Sequence, residues 1–381
     1  STHESGGELH VVLFNRSHPE PPEVEHILNR LDLTTEHTDV VYTFNNSQFR
    51  GFAAYMKEHC IKALNDMVEI GTVEQSFRMK ALDVTTRPSS PWGLQRISST
   101  SQVSGDTKDA LNFTYSYEGN ELGKGVDIYV VDTGVYVDHM VFGGRAVHGW
   151  TGFPEQNRSN TGWEYPLGDH TDGNGHGTHV AGTAGGSNVG IASGANIIAV
   201  RVLDESGGGN SENTYAGIDW VINRHDKRKT EPDFVGSVLS MSFGMSIINK
   251  TITDHIIYAT EAGIHASVAS GNEGGNSCDY TPSNAGGAGS NVVSVGSIGI
   301  SDEISSFSNT GKCTDIFAPG EDVLSSWIDL KNGTTNKLQY KSGTSMACPH
   351  VTGIMAYLAA KNSTLAHDPA AMKTYLTTTA I

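Results

Sequence analysis

No apolar run in this 381-residue sequence reaches the ~18 residues that a membrane-spanning helix requires, so no such helix is expected. Cysteine is scarce. The four present, Cys60, Cys278, Cys313 and Cys348, show no Cys-X-X-Cys spacing. That excludes a disulfide-built scaffold and leaves at most one or two bridges. Positive charge is in deficit, with 25 Lys and Arg against 42 Asp and Glu and a net charge of −17. A protein that tracks nucleic-acid phosphates needs a clustered basic face, so that partner class is excluded. Charged residues of both signs reach only 18%, which argues against wholesale disorder even though the apolar share is a low 37%. The first residues, Ser-Thr-His-Glu-Ser, have neither the basic nor the apolar region of a signal peptide.

Glycine, by contrast, is abundant: 44 residues without a collagen-like period, a density that suits tight turns and close backbone approach. Seven Asn-X-Ser/Thr sequons, at Asn15, Asn45, Asn112, Asn157, Asn249, Asn332 and Asn362, favour secretory traffic with a leader already removed. The expected destination is therefore the cell exterior, or a vacuolar or lysosome-like compartment.

The length favours two domains, and histidine and charge divide the chain near residue 84. Residues 1–84 hold 13 acidic and 7 basic residues with 6 of the 16 histidines. In that part 9–14 reads as a strand, 21–31 as a helix, 40–44 and 49–55 as strands joined by a polar turn, and 57–67 as a helix. Either 68–73 or 76–79 supplies a last strand, and the order βαββαβ predicts a ferredoxin-like α+β domain. Residues 83–106, rich in Ser, Thr, Pro and Gly, read as an exposed linker. Beyond it, apolar runs at 125–132, 196–203, 235–241, 264–269 and 291–295 alternate with helical stretches at 176–184, 211–224, 253–262 and 344–360. That alternation predicts an α/β domain over 85–381, a parallel sheet with helices on both faces.

Catalytic groups in such a sheet belong at the carboxyl ends of strands and the helix starts that follow. Asp132 ends the apolar run Ile-Tyr-Val-Val-Asp; alone, it reads equally well as a turn cap. His176 opens a helix inside Gly-Asn-Gly-His-Gly-Thr-His-Val-Ala-Gly, and a base at a helix N-terminus needs an anion nearby. A metal pair of His176 and His179 is disfavoured, because the Glu of His-Glu-X-X-His and a third ligand are both missing. Ser345 opens a helix in Gly-Thr-Ser-Met-Ala, and Asn272 follows a strand in Gly-Asn-Glu-Gly. Singly, these read as a helix cap and a turn residue.

Jointly, in this order and each at an element end, the motifs resemble the subtilisin family of serine proteases, and within it the fungal proteinase K and cerevisin-like branch. Pro91-Trp-Gly-Leu-Gln-Arg-Ile-Ser98 and Asp315-Ile-Phe-Ala-Pro-Gly320 carry the likeness over most of 88–375. Residues 9–80 resemble the family's inhibitory prodomain in element order. The resemblance implies Ser345 as nucleophile, His176 as general base and Asp132 as its orienting anion. Asn272 and the Ser345 N–H would receive the oxyanion. It also implies a substrate-pairing segment at Ser242, Phe243 and Gly244 and a pocket walled by Ala269, Ser270 and Gly271. With no acidic residue in those walls, an apolar or aromatic P1 side chain is expected. Cys278 and Cys313 match positions that the branch bridges. A structural Ca²⁺ is implied at Asp315 with the carbonyls of Ser290 and Val292. No catalytic cofactor is implied.

Several departures stand out. Val180 replaces a cysteine common in the branch, and Cys348 reads as a small buried residue rather than a redox switch. Cys60 reads as a core thiol. The insert at 149–169, with Trp150, Phe153, Trp163 and Tyr165, reads as a surface loop burying its own aromatics. The resulting expectation is a monomeric endopeptidase acting on proteins and peptides, made as a zymogen and cut near 83–86. The alternative is a catalytically silent pseudoprotease or a prodomain-mediated inhibitor. A lipase is disfavoured, since Gly-Thr-Ser-Met-Ala is not Gly-X-Ser-X-Gly.

Overall fold

In a computed structural model, residues 6–20, 22–77, 84–153 and 169–381 are described. The chain divides into two compact units, Ser1–Ala81 and Leu82–Ile381, slightly ahead of the division expected at 84/85. Pro21, Asp83, Trp163 and Tyr165, on which expectations above depend, lie outside the described residues.

The first unit contains β1 (Glu8–Phe14), α1 (Val24–Asn29), β2 (Val40–Asn45), β3 (Arg50–Met56), α2 (Glu58–Asn65) and β4 (Ile70–Gln75). Its sheet runs β2-β3-β1-β4 with antiparallel neighbours throughout, the arrangement of a βαββαβ unit. Val12 and Phe14 on one face of β1 pack with Phe52 and Ala54 of β3, Ile27 and Leu28 of α1 and Leu64 of α2. Cys60 is half-buried against that core.

The second unit opens with β5 (Val84–Ser90), α3 (Trp92–Ile97) and β6 (Phe113–Glu118). Part of the stretch expected to be an exposed linker is therefore structured. β5 pairs antiparallel with β6, and Trp92 is 1% exposed with its Nε1–H donating to the Glu321 carbonyl at 3.0 Å. There follow β7 (Val126–Asp132), β8 (Ala146–Thr151), α4 (His176–Gly185), β9 (Asn196–Arg201), α5 (Ser211–Arg228), β10 (Gly236–Met241), α6 (Lys250–Glu261) and β11 (His265–Ala269). The unit ends with β12 (Val293–Ile298), β13 (Ile316–Pro319), β14 (Val323–Ser326), β15 (Leu338–Lys341), α7 (Thr344–Lys361), α8 (Ser363–His367) and α9 (Pro369–Thr379).

Seven of these strands form a parallel sheet in the order β13-β12-β11-β10-β7-β9-β8. The alternation of β7 distributes its side chains to two cores. Val126, Ile128 and Val130 join a cluster with Val180 of α4 and Met346 and Val351 of α7. Tyr129 and Val131 join Ile218 and Val221 of α5 and Ile256 of α6 on the other face. Every residue of β7 is buried, as a strand covered on both sides must be. The chain leaves β7 for the β8 edge, returns through β9, and then crosses to β10 on the other side of β7. That reversal puts a crevice at the carboxyl ends of β7 and β10.

Candidate functional site

Asp132 is the last residue of β7 and is fully buried. Its Oδ1 accepts the Thr133 N–H at 2.7 Å and the His176 Nδ1–H at 2.8 Å. His176 is the first residue of α4, and the turn before it is held by a second buried carboxylate. Asp172 Oδ1 accepts from Thr133 Oγ1 (2.9 Å) and from the N–H groups of Asn174 (3.1 Å) and Gly175 (2.8 Å). Its Oδ2 accepts from Thr178 N (3.0 Å) and Thr178 Oγ1 (2.5 Å). Burial raises the pKa of Asp172 against the pull of these donors. Gly175 caps α4 with φ +99°, a left-handed conformation that suits glycine.

The His176 pKa is raised. Desolvation pushes it down, but the charge and hydrogen bond of Asp132, with a smaller contribution from Asp172, outweigh that. His179, one turn on, is fully buried, and its Nε2–H lies between the carbonyls of Val323 (3.0 Å) and Gln339 (2.9 Å). Desolvation pulls its pKa down to about 3, which keeps it a neutral packing residue.

Ser345 is the second residue of α7, so its N–H is one of those a helix N-terminus leaves free. Its hydroxyl donates to the Ser242 carbonyl at 2.6 Å rather than to His176. Asn272 stands beside it with Oδ1 accepting from Thr344 N (2.8 Å) and Thr344 Oγ1 (2.9 Å). With its oxygen engaged, the Nδ2 side of the amide is left for the crevice.

These residues converge on one cavity of about 360 Å³, lined by His176, Asn272 and Ser345 and by Ser242, Phe243, Gly244, Ala269 and Gly271. Asp132 lies behind His176. Ser270 is not in the lining: it is buried, with its hydroxyl on the Asn309 carbonyl at 3.2 Å. Glu273, Met245 and Tyr280 also line the cavity and were not read from the sequence. Glu273 is the acidic residue of the Gly-Asn-Glu-Gly motif, so its signal was present; Asn309 Nδ2 donates to its Oε2 at 2.6 Å. Cys348 is fully buried, and burial pushes its thiol pKa up, in keeping with an inert packing residue. Cys278 and Cys313 form a disulfide that closes 35 residues of chain.

The calcium expectation is corrected. Asp315 and the carbonyls of Ser290 and Val292 do come together, but the Lys373 ammonium sits among them. It lies 2.9 Å from Asp315 Oδ1, 3.1 Å from Ser290 O and 2.7 Å from Val292 O. The residues present therefore do not fit a metal ion. Among the described residues no group of three or more His, Cys, Asp or Glu is placed to hold one.

A parallel α/β sheet with a carboxylate–imidazole pair, a helix-start serine and an anchored asparagine at one crevice is the architecture of a subtilisin-like protein. The sequence profile of the Subtilase family matches residues 123–380, and the chain belongs to that family. Alkaline protease 2 of Aspergillus fumigatus is 38% identical over 315 residues, covering 81% of this chain and 58% of the relative. The subtilisin-like serine protease pepC of Aspergillus niger is 37% identical over 317 residues, covering 81% of this chain and 54% of the relative. The chain thus spans little more than half the length of these relatives. The crystal structure of a cold adapted subtilisin-like serine proteinase superposes with a TM-score of 0.61 at 34% identity, covering 76% of this chain and 91% of that one.

Proposed function

We propose that this chain is a serine endopeptidase, with residues 85–381 as the peptidase domain and 1–84 as its inhibitory prodomain. The observation that carries the reading is the 2.8 Å hydrogen bond from His176 to the buried Asp132, at a cavity shared with Ser345 and Asn272. In the proposed reaction the Ser345 hydroxyl leaves the Ser242 carbonyl by rotation about Cα–Cβ and turns to His176 Nε2. Its oxygen attacks the substrate carbonyl carbon as Nε2 takes the proton, and Asp132 stabilises the resulting imidazolium without being protonated. The oxyanion is received by Asn272 Nδ2–H and the Ser345 N–H. The leaving amine takes the proton from His176 as the C–N bond breaks, and water then hydrolyses the acyl-enzyme by the same steps in reverse. This sequence calls on no cofactor.

The uncharged walls at Ala269 and Gly271, with Met245 alongside, support an apolar or aromatic P1 side chain; the nearby Glu273 carboxylate is already engaged by Asn309. The ferredoxin-like order of the first unit supports the prodomain role, with autocleavage near 83–86. Sequons exposed at Asn45, Asn112, Asn332 and Asn362 support a secretory route. No helix among the described residues is long and apolar enough to cross a membrane. Substrates are proteins and peptides, and the working form is a monomer.

A fluorophosphonate probe tests the reading. The wild type is expected to label, and Ser345→Ala to lose both labelling and at least about 10⁴-fold of its peptidase activity. A wild type that folds and still does not label after residues 1–84 have been cut away would instead support the pseudoprotease alternative.

A further inference from the structure

Lys373 lies on α9, and its side chain is only 12% exposed. Its ammonium points into a cage of four oxygens: Asp315 Oδ1 at 2.9 Å and the carbonyls of Gly287 at 2.7 Å, Ser290 at 3.1 Å and Val292 at 2.7 Å. Asp315 is itself fixed. Its carboxylate, 7% exposed, also accepts the N–H groups of Gly287 (3.1 Å to Oδ1) and Ser294 (2.9 Å to Oδ2). One carboxylate and three backbone carbonyls make an all-oxygen donor set of the kind that hard divalent cations take. Here the separations are those of N–H···O hydrogen bonds, longer than the roughly 2.3–2.6 Å of Ca²⁺–oxygen contacts, and the occupant has a single positive charge.

We propose that Lys373 is a built-in cation that takes the place of a divalent metal, pinning α9 to the segment 287–292 and to Asp315, and that removing its side chain uncovers a Ca²⁺ site. A bound metal stabilises a fold only in proportion to its free concentration, because it acts by mass action. A cation tethered through the backbone of α9 is always present, so the stability drawn from this cage is independent of calcium. Nζ already stands within hydrogen-bonding distance of all four oxygens, so occupation by lysine and by Ca²⁺ is mutually exclusive. With Nζ gone, the Asp315 charge is left buried among carbonyls, which is costly unless another cation enters. This inference rests on the cage alone and stands whether or not the chain is a protease.

Thermal melts of the intact chain, inhibited with a serine-directed reagent, in EDTA and in millimolar Ca²⁺ test it. In the wild type, any difference between the two conditions is expected to be unchanged by Asp315→Asn. Lys373→Ala is expected to melt lower in EDTA by roughly 5 °C or more and to recover much of that loss in Ca²⁺. The recovery is expected to be absent from the Lys373→Ala/Asp315→Asn double variant. A folded Lys373→Ala whose melting ignores Ca²⁺ would overturn the proposal. So would a wild-type calcium response that Asp315→Asn removes, because metal would then be displacing the lysine. That second comparison needs no Lys373 variant and decides the matter if Lys373→Ala does not accumulate.

Discussion

Asn272 owes its orientation to Thr344. The Thr344 N–H and hydroxyl both donate to Asn272 Oδ1, and the hydroxyl oxygen accepts the Gly271 N–H at 3.2 Å. Thr344 thus ties the asparagine, the cavity wall and the start of α7 into one hydrogen-bonded unit. If Asn272 Nδ2 receives the oxyanion, it acts on the transition state more than on bound substrate. Asn272→Ala is then expected to lower kcat by about 100- to 1,000-fold with little change in KM. Thr344 is a positioning residue one step removed. Thr344→Val keeps the shape and the backbone N–H bond but removes the hydroxyl bond that helps hold the amide, and steady-state kinetics should show kcat up to about tenfold lower at unchanged KM, the scale of one hydrogen bond. Thr344→Ser should restore it. Full kcat in Thr344→Val would mean that the amide is oriented by something else. Asn272 and Ser345 were legible because short motifs mark them. The partner of Asp315 was not, because Lys373 carries no motif and reaches the cage only once α9 has packed.

At the scale of elements, the His176–Asp132 pair depends on how closely the start of α4 approaches the end of β7. Gly177 makes that approach. Its N–H donates to Thr133 Oγ1 at 2.9 Å, and a Cβ there would stand 2.1 Å from the Gly134 carbonyl oxygen and 3.2 Å from Asp132 Oδ1. The obstacle is backbone, so Gly177→Ala must move the helix start or the strand end. A shift of about 1 Å costs on the order of 100-fold in a well-aligned site. We expect kcat/KM to fall by at least tenfold, together with a lower melting temperature. Unchanged kinetics in Gly177→Ala would show that the pair tolerates displacement. Five strands of the parallel sheet, β7, β9, β10, β11 and β12, were readable because burial on both faces leaves continuous apolar runs. The edge strands β8 and β13 were missed, and Trp150, expected in a surface loop, is buried in β8 against the core of the sheet. β5 was missed for the converse reason. Its residues Val84–Ser90 include Thr, Arg, Pro and Ser and stay largely at the surface, so a two-stranded ribbon leaves no periodic signal. Trp92 packs with Val103, Phe113 and Ile300 and donates to the Glu321 carbonyl, contacts that no local pattern reports.

The net charge of −17 sums over the whole sequence, and a distinct part of the response of the molecule to acid is set by histidines in its interior. His179, His265 and His350 are all essentially unexposed, and desolvation lowers their pKa values to about 3, about 4 and about 4. In the unfolded chain each titrates near 6.5. Above that pH neither state is protonated and the three contribute no slope. As pH falls from about 6.5 towards 4 the unfolded chain takes up protons that the folded chain refuses. Stability therefore declines on acidification, by about 1.4 kcal/mol per pH unit for each histidine. Urea melts of the inhibited chain between pH 4.5 and 7 should show the decline. His265 offers a clean subtraction, because its Nε2–H donates to the Ala366 carbonyl at 3.1 Å, a bond that a glutamine amide can replace. His265→Gln is expected to keep the stability at neutral pH to within about 1 kcal/mol and to reduce the acid slope by about 1.4 kcal/mol per pH unit between about pH 6.5 and 4. Superimposable slopes in the two proteins would mean that His265 takes up its proton without unfolding, and the acid response would then have to come from elsewhere in the molecule.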